Sequence, residues 1–241
     1  GLPQERHLRR YRVNGRAGIG AWRYFDRFDM NKVVNESNRF GWMVEYKPTD
    51  PNYHPKKRTA LGRFCHEGAT LSLTKAGHAV AFMGDDSYFE YLYRFVSAKP
   101  AQDNPNVLDE GTLSVARFDA KGTVTWLPLR FGEGPLTPQN GFESQADVVI
   151  ETRRAASLVG ATPMDRPEGI AIHPTSGRVY VSLTKNTKRR AAQTDAVHAR
   201  ANDAHGQILE LIPSAADTHD EEIMKWDILI AAGDPNRHAN T

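Results

Sequence analysis

Two stretches of similar design decide the fold of this chain: HEGATLSLTKAGHAVAFMGDD at positions 66–86 and PEGIAIHPTSGRVYVSLTKN at positions 167–186. Each runs from Glu-Gly through a strand-like segment, a turn that ends in glycine and a second strand-like segment to a polar dipeptide. The glycines allow the positive φ that such a reversal requires. Each stretch is followed by a further strand pair. The chain therefore predicts a repeated four-strand unit, which is the signature of a β-propeller blade.

Similar short segments continue through most of the chain after residue 40. They are rich in β-branched and aromatic residues and are bounded by Gly, Pro, Asn or Asp, which is typical of strands. We therefore predict an all-β chain that forms part of a propeller. The segments are GWMVEY (41–46), RTALGRF (58–64), TLSL (70–73), HAVAFM (78–83), FEYLYRFV (89–96), TLSVARF (112–118), TVTWLPL (123–129), GIAIH (169–173), RVYVSLT (178–184), QILELI (207–212) and MKWDILIA (224–231).

The domain organisation follows from where these strands fall. We predict one partial propeller domain over 1–241, with a mostly irregular lead-in over 1–40, blades over 41–130, an excursion over 131–166 and a further blade over 167–230. The tract from Gln145 to Val159 has helical spacing and is ended by Pro163 and Pro167, so we expect the excursion to be helical. About two and a half blades leave open sheet edges, which predicts further propeller sequence on one or both sides.

Composition sets limits on the partners. The 241 residues are 39% hydrophobic and 25% charged, with a formal net charge of +2, so no overall charge favours nucleic acid or an anionic membrane. The arginines of the lead-in alternate with aromatic residues, and we expect their stems to pack on those rings. A single cysteine, Cys65, excludes an internal disulfide and a multi-cysteine zinc site. No apolar run is long enough to span a bilayer.

The repeat places two acidic residues at equivalent positions. In a propeller the first strand of each blade lines the central channel, so Glu67 and Glu168 would point towards a common cavity. Two carboxylates that converge in a channel need a cation, because unpaired buried charges are costly. The alternative is that each glutamate merely precedes a tight turn and faces solvent. The residues alone leave both interpretations open.

Five blocks of sequence together resemble one known family. They are NESNRFGWMVEYKPTDP (35–51), KRTALGRFCHEGA (57–69), FMGDDSYFEYLYRFVS (82–97), DEGTLSVARFDAKG (109–122) and ATPMDRPEGIAIHPTSGRVYVSLTKNTKR (161–189). In this order and spacing they are similar to the PhoX-type alkaline phosphatases over roughly residues 20–230. The resemblance implies a six-bladed propeller, periplasmic or secreted, that hydrolyses phosphate monoesters with Ca²⁺ and Fe³⁺. It also implies small phosphorylated substrates and a monomer at full length.

The resemblance also implies roles for individual residues. Arg166 matches the phosphate-binding arginine, and an arginine suits this role because its planar, permanently charged fork can hold two phosphate oxygens. Three carboxylates match metal ligands, and calcium prefers such oxygen donors. Two further positions, Asp85 and Asn186, are weaker candidates for supporting the ligands. The three metal candidates are Glu45, Glu67 and Glu168.

The chain departs from the family pattern at several points. The cysteine-containing motif that binds iron is missing, and we interpret Cys65 as a small strand residue, so the iron site is expected to be incomplete in this chain. Lys185 and Gln207 replace residues that are common in the family, at positions expected to flank the channel mouth.

Two alternatives to the phosphatase function remain: a calcium-dependent propeller lactonase or phosphotriesterase, and a propeller that binds ligands without chemistry. Arg166 discriminates a phosphatase from a lactonase, because a phosphate monoester dianion needs it whereas a neutral lactone does not.

Overall fold

A nine-stranded antiparallel sheet dominates the computed structural model, which describes residues 8–13, 20–102 and 104–234. Its strands follow the order β3-β4-β5-β6-β7-β11-β10-β9-β8, and β1 and β2 form a separate two-stranded ribbon. The strands are β1 (Val44–Glu45), β2 (Lys56–Lys57), β3 (His66–Leu73), β4 (His78–Asp85), β5 (Leu92–Pro100), β6 (Gly111–Phe118), β7 (Thr123–Pro128), β8 (Pro167–Ile172), β9 (Val179–Leu183), β10 (Gln207–Ile212) and β11 (Ile223–Ala231), and the helices are α1 (Gln145–Ile150) and α2 (Thr152–Leu158).

The sheet consists of two four-strand units, β3–β6 and β8–β11, which are joined through β7. Strand β7 pairs with β6 on one side and with β11 on the other. The first strands of the two units lie at opposite ends of the strand order, yet they contact each other, and Thr70 Oγ1 donates to the carbonyl of Ile170 at 2.7 Å. The sheet therefore folds back on itself, and the two units are the blades of a partial propeller.

The predicted internal repeat is confirmed in the backbone. Both hairpins, β3–β4 and β8–β9, turn at a glycine with positive φ, 80° at Gly77 and 68° at Gly177. The pairing in both hairpins also shifts register near its start, between Glu67 and Thr70 in one and between Pro167 and Ile170 in the other. Such irregularities bend a strand and re-aim its side chains. Glu67 and Glu168 thus occupy equivalent positions, each as the second residue of its strand.

Two hydrophobic cores lie on opposite faces of the first unit. One lies between the two units, where Phe82 of the first unit and Trp126 of β7 pack in the same cluster as Val181 and Leu211 of the second unit. The other lies between the first unit and the excursion. There the predicted helical tract forms α1 and α2, with Ser144 capping α1 by accepting from the Asp147 amide. The excursion therefore covers a face of the sheet that would otherwise be open to water.

Two predicted strands before residue 65 are wrong or shortened. The segment RTALGRF forms a short 3-10 helix, Thr59–Leu61, and not a strand. The two arginines that flank this helix are buried, because Arg58 pairs with Glu45 and Asp109 and Arg63 donates to backbone carbonyls. Within GWMVEY only Val44–Glu45 is extended, and it pairs with β2 outside the main sheet. Residues 41–64 therefore add no blade strand.

The described part of the lead-in is mostly irregular apart from short helical segments, of which one covers residues 8–10. Residues 20–40 hold three short 3-10 helices, Ala21–Arg23, Asp26–Phe28 and Glu36–Arg39. Arg23 stacks over Trp22 at 5.5 Å and Arg27 over Phe28 at 5.3 Å, so the predicted packing of arginine on aromatic rings is confirmed for both. None of the helices in the described ranges is long and apolar enough to cross a membrane.

Candidate active site

Arg166 stands at the entry to β8 in an unusual backbone conformation. Its φ is 50°, in the left-handed region that non-glycine residues rarely occupy. The Thr184 amide donates to the carbonyl of Asp165 at 3.1 Å, which fixes the preceding peptide. The half-buried guanidinium lies 2.8 Å from Asp86 Oδ1 and 3.1 Å from Glu168 Oε1. Backbone strain of this kind is maintained only where the surrounding structure imposes it, and it concentrates at functional sites.

The turn after β4 brings Asp86 to Arg166. Its neighbour Asp85 points the opposite way and is completely buried, where Arg153 of α2 donates to both of its oxygens at 2.7 and 2.6 Å. Burial raises the pKa of Asp85 to about 6, while the bonds from Arg153 act in the opposite direction. Asp85 therefore lies beneath the turn, and the residue that reaches the site is Asp86.

A network of charged side chains lies behind this turn. Arg10 donates to both oxygens of Glu90 at 2.9 and 2.8 Å, and Arg153 also donates to Ser87 Oγ at 3.1 Å. The Tyr11 ring lies 4.8 Å from the guanidinium of Arg153. Two segments distant in sequence, the lead-in and the excursion, thus hold the turn from behind.

Asn186 supports the Arg166 segment from inside the second unit. Its side chain is fully buried and donates to Asp165 Oδ1 at 2.5 Å, and Arg189 donates to the same oxygen at 2.8 Å. Because Asp165 immediately precedes Arg166, these bonds restrain the backbone that carries the guanidinium. This placement agrees with the predicted supporting position of Asn186, whose effect on activity stays a prediction.

Glu67 and Glu168 lie on either side of Gly84. Glu67 is directly opposite Gly84 in the β3–β4 ladder. A Cβ placed on Gly84 would lie 2.2 Å from the carbonyl oxygen of Pro167 and 3.2 Å from that of Glu168. Only glycine permits this close approach of the two units. The carboxylate of Glu168 also accepts from Thr184 Oγ1 at 2.9 Å, whereas Glu67 is exposed.

Glu45, the third predicted ligand, is held elsewhere. It lies in β1, where the Tyr53 hydroxyl donates to one carboxylate oxygen and Arg58 Nε donates to the other at 2.8 Å. Burial acts to raise the pKa of Glu45, but the bonds from Tyr53 and Arg58 outweigh it and the pKa is lowered. The residues in 8–13, 20–102 and 104–234 include no group of three His, Cys, Asp or Glu side chains arranged to hold a metal ion. The expected cluster of Glu45, Glu67 and Glu168 is therefore not assembled here.

The positions that depart from the family pattern lie in different surroundings. Cys65 is exposed and precedes β3, so its interpretation as a strand residue is wrong. Lys185 is exposed in the loop after β9. Gln207 is buried at the start of β10, where it faces a neighbouring loop. Its side-chain amide donates to the carbonyl of Val197 in that loop. It does not flank an opening as predicted.

The donors around Arg166 fit a hard cation. Asp86, Glu168 and the nearby Glu67 offer only carboxylate oxygens, the ligands that calcium prefers. Asp86 Oδ1 is buried, and although it is ion-paired with Arg166 it accepts no well-angled hydrogen bond from any described residue. A buried carboxylate oxygen in this condition is available for a further positive partner. These three carboxylates therefore fit a metal that prefers oxygen ligands. They supply no thiolate, which softer metals prefer.

Sequence reasoning missed three residues of this region. Asp86 was passed over for Asp85, and Tyr88 and Arg153 were not considered. The Tyr88 ring lies 5.6 Å from the Arg166 guanidinium. The only signal for Asp86 was its place at the end of the repeat, and nothing in the sequence connects Arg153 with a turn 68 positions earlier.

The comparisons with known proteins agree on one family. The model of "Alkaline phosphatase PhoX" matches residues 5–241. The chain is 43% identical to the Pseudomonas fluorescens PhoX solved in complex with vanadate, a transition state analogue, with a TM-score of 0.90. That match covers 98% of this chain and 43% of the Pseudomonas chain, so the chain spans less than half of its relative. No curated protein matches the chain. This chain belongs to the PhoX alkaline phosphatase family.

Proposed function

We propose that the protein hydrolyses phosphate monoesters and releases inorganic phosphate. The observation that carries the proposal is Arg166, whose backbone is strained and whose half-buried guanidinium lies between Asp86 and Glu168. The related Pseudomonas structure holds vanadate, described there as a transition state analogue. Vanadate resembles the phosphoryl group in the transition state of its transfer. A protein catalyses this transfer mainly by positioning the reacting groups and by supplying positive charge. The surroundings of Arg166 support both requirements.

Each residue of the site has a definite task in this proposal. Arg166 binds two oxygens of the phosphate through its planar fork. The restrained backbone around Asp165 limits the orientations of the guanidinium, so less of its motion has to be lost on binding. Glu168 and Asp86 hold Arg166 from both sides and keep its charge partnered before substrate arrives.

We further propose that the cofactors are Ca²⁺ and Fe³⁺ and that Glu67, Asp86 and Glu168 each contribute ligand oxygens to them, although the described residues alone assemble no complete metal site. When bound, such cations supply positive charge that polarises the phosphate and stabilises its transition state. The engagement of Glu45 by Arg58 and Tyr53 favours a structural role for that residue over a ligand role. Small phosphorylated substrates, a periplasmic or secreted location and a monomeric state are proposed from family membership alone.

The first experiment is hydrolysis of a chromogenic phosphate monoester at alkaline pH by the complete protein. Turnover should appear with added calcium and disappear when a chelator is added. A lactone serves as the second substrate, because it distinguishes a phosphatase from a lactonase. Turnover of the lactone alone, or of neither substrate with metal present, would overturn the proposal.

Arg166 is tested directly by substitution. We expect Arg166→Ala to lower kcat by about 100-fold or more, as is usual when a group that stabilises the transition state is lost. Arg166→Lys keeps the charge but loses the fork, so it should recover only part of that activity. The matched control is Arg178→Ala. Arg178 is exposed on the β8–β9 hairpin and pairs with Glu210 of β10. Equal turnover in Arg166→Ala and wild type, at an unchanged melting temperature, would exclude Arg166 from the reaction.

A further inference from the structure

Two cationic side chains, those of Arg166 and Lys188, lie close to the same aromatic ring, that of Tyr88. The Arg166 guanidinium lies 5.6 Å from the centroid of the Tyr88 ring, and the Lys188 ammonium lies 4.4 Å from the same centroid. The two cations are therefore no more than about 10 Å apart, since both distances end at one point. Tyr88 belongs to the same turn as Asp86 and forms an isolated β-bridge with Asp165. The Lys188 ammonium thus lies within about 10 Å of the guanidinium that would bind the phosphate.

The backbone of Lys188 is well anchored. Its amide donates to Asn186 Oδ1 at 3.0 Å, and Asn186 is itself buried against Asp165 and Asp203. The next residue, Arg189, is also buried. The exposed side chain of Lys188 therefore projects from a fixed loop and not from a freely moving one.

The two cations differ in how their charges are partnered. Arg166 has two carboxylates within ion-pair distance. Lys188 has none among the residues that the structure describes, and its ammonium rests on the negative face of an aromatic ring. A lysine in this position keeps most of its attraction for an incoming anion.

We propose that Lys188 and Tyr88 form a second anion-binding position, which receives the leaving group of the substrate. The site would then favour phosphate monoesters whose leaving group carries a further negative charge. This inference rests on the proposed phosphatase function and extends it to the class of substrate. Because the pair is exposed, we expect a contribution of about 3- to 5-fold in KM, the upper range for solvent-exposed charge pairs, and a smaller one at high salt.

The experiment uses a pair of substrates that differ in one charge. Phenyl phosphate releases a leaving group with no other anion, whereas 4-carboxyphenyl phosphate carries a carboxylate across a rigid ring from the phosphate. KM and kcat are measured for both with the complete, metal-loaded protein and with Lys188→Met. Lys185→Met is the matched control, because Lys185 is exposed in the same loop.

We expect Lys188→Met to raise KM for the carboxyphenyl ester about 3- to 5-fold more than for phenyl phosphate, with similar kcat. Lys185→Met should change the ratio of the two KM values by less than about 2-fold. Equal effects of Lys188→Met on both esters, or equal effects of the two lysine variants, would overturn the inference while the phosphatase function stands. Hydrolysis of neither ester by the wild type would overturn both.

Discussion

The two turns that meet at Arg166 are equivalent in the repeat but are built in opposite ways. Strand β4 ends at Asp85 and its turn begins with Asp86, whereas the loop after β9 begins with Thr184-Lys185-Asn186. Each follows the second strand of its hairpin. At the first turn, Asp85 is buried and Asp86 faces Arg166. In the second, Lys185 faces solvent and Asn186 is buried.

The turns also differ in the origin of the side chains that fix them. Arg189, within the second loop, pairs with Asp165, which lies two residues before β8. The first turn depends instead on Arg153 from the excursion and Arg10 from the lead-in, which lie outside its unit. The repeat therefore supplies two equivalent places, while the arginines that complete them come from unrelated parts of the chain. A functional site can be asymmetric even when its scaffold is repeated.

The largest expected effect comes from removing the external support of the first turn. Arg153→Met leaves the Asp85 carboxyl buried without its arginine, and among the residues that the structure describes only the Cys65 amide still donates to it. Breaking a buried pair from one side costs about 3–5 kcal/mol, and we expect a loss of that size in the free energy of unfolding, measured with urea. Arg154→Met is the control, because this neighbour on α2 is partly exposed and should cost about 1 kcal/mol or less.

The same pair can be removed from both sides to sharpen the result. The double variant Arg153→Met with Asp85→Leu leaves no isolated charge, so it should recover part of the stability. If the single and double variants are equally unstable, the uncompensated charge on Asp85 is not the cause of the loss.

A smaller effect is expected where the two units touch. Gly84→Ala would place a methyl group 2.2 Å from the Pro167 carbonyl oxygen, so the backbone next to Arg166 must shift. Overpacking of this kind costs about 1–3 kcal/mol, measurable as a lowered urea midpoint. Gly169→Ala is the matched control, since its Cβ would meet no atom within 4 Å. Equal midpoints for the two variants would mean that the contact at Gly84 is not tight.

The smallest effect concerns the internal support of the second loop. Asn186→Ala removes one bond to Asp165 and one from the Lys188 amide, but Arg189 still neutralises Asp165. We therefore expect a loss of about 1–2 kcal/mol in the free energy of unfolding, less than for Arg153→Met. Lys185→Ala, at the exposed position before it, should be neutral. A loss for Asn186→Ala that exceeds that of Arg153→Met would reverse the comparison drawn between the two turns.

Much of the fold could be predicted from the sequence, because strand alternation and turn glycines are local signals. Both hairpins of the repeat and the helical tract from Gln145 were identified in this way and are confirmed. RTALGRF was predicted as a strand from its composition, but it forms a short 3-10 helix. In the structure Arg58 and Arg63 are buried by partners distant in sequence, such as Asp109, which a local pattern cannot reveal.

The candidate site could be predicted only in part, and the limit is physical. Alternation tells which strand residues face outward only when one face is exposed, but β4 is buried on both faces from Ala79 to Asp85. The pattern therefore could not choose between Asp85 and Asp86. Arg166 and Glu168 were found because they belong to a recognisable block. The placement of Glu45 depends on Arg58 and Tyr53, and the sequence does not show that these side chains meet.

The external arginines also have a consequence for the order of folding. The pairings Asp85–Arg153 and Arg10–Glu90 join residues 68 and 80 positions apart, whereas the strands of each hairpin are neighbours in sequence. Contacts between distant residues form late, because the entropy of closing a long loop must be overcome first. A refolding chain should therefore complete its hairpins before Asp86 is fixed in place. Pulsed hydrogen exchange would detect this as protection of the Phe89 amide, in the same turn, later than that of the hairpin amides, because the Phe89 amide donates to the distant carbonyl of Met164.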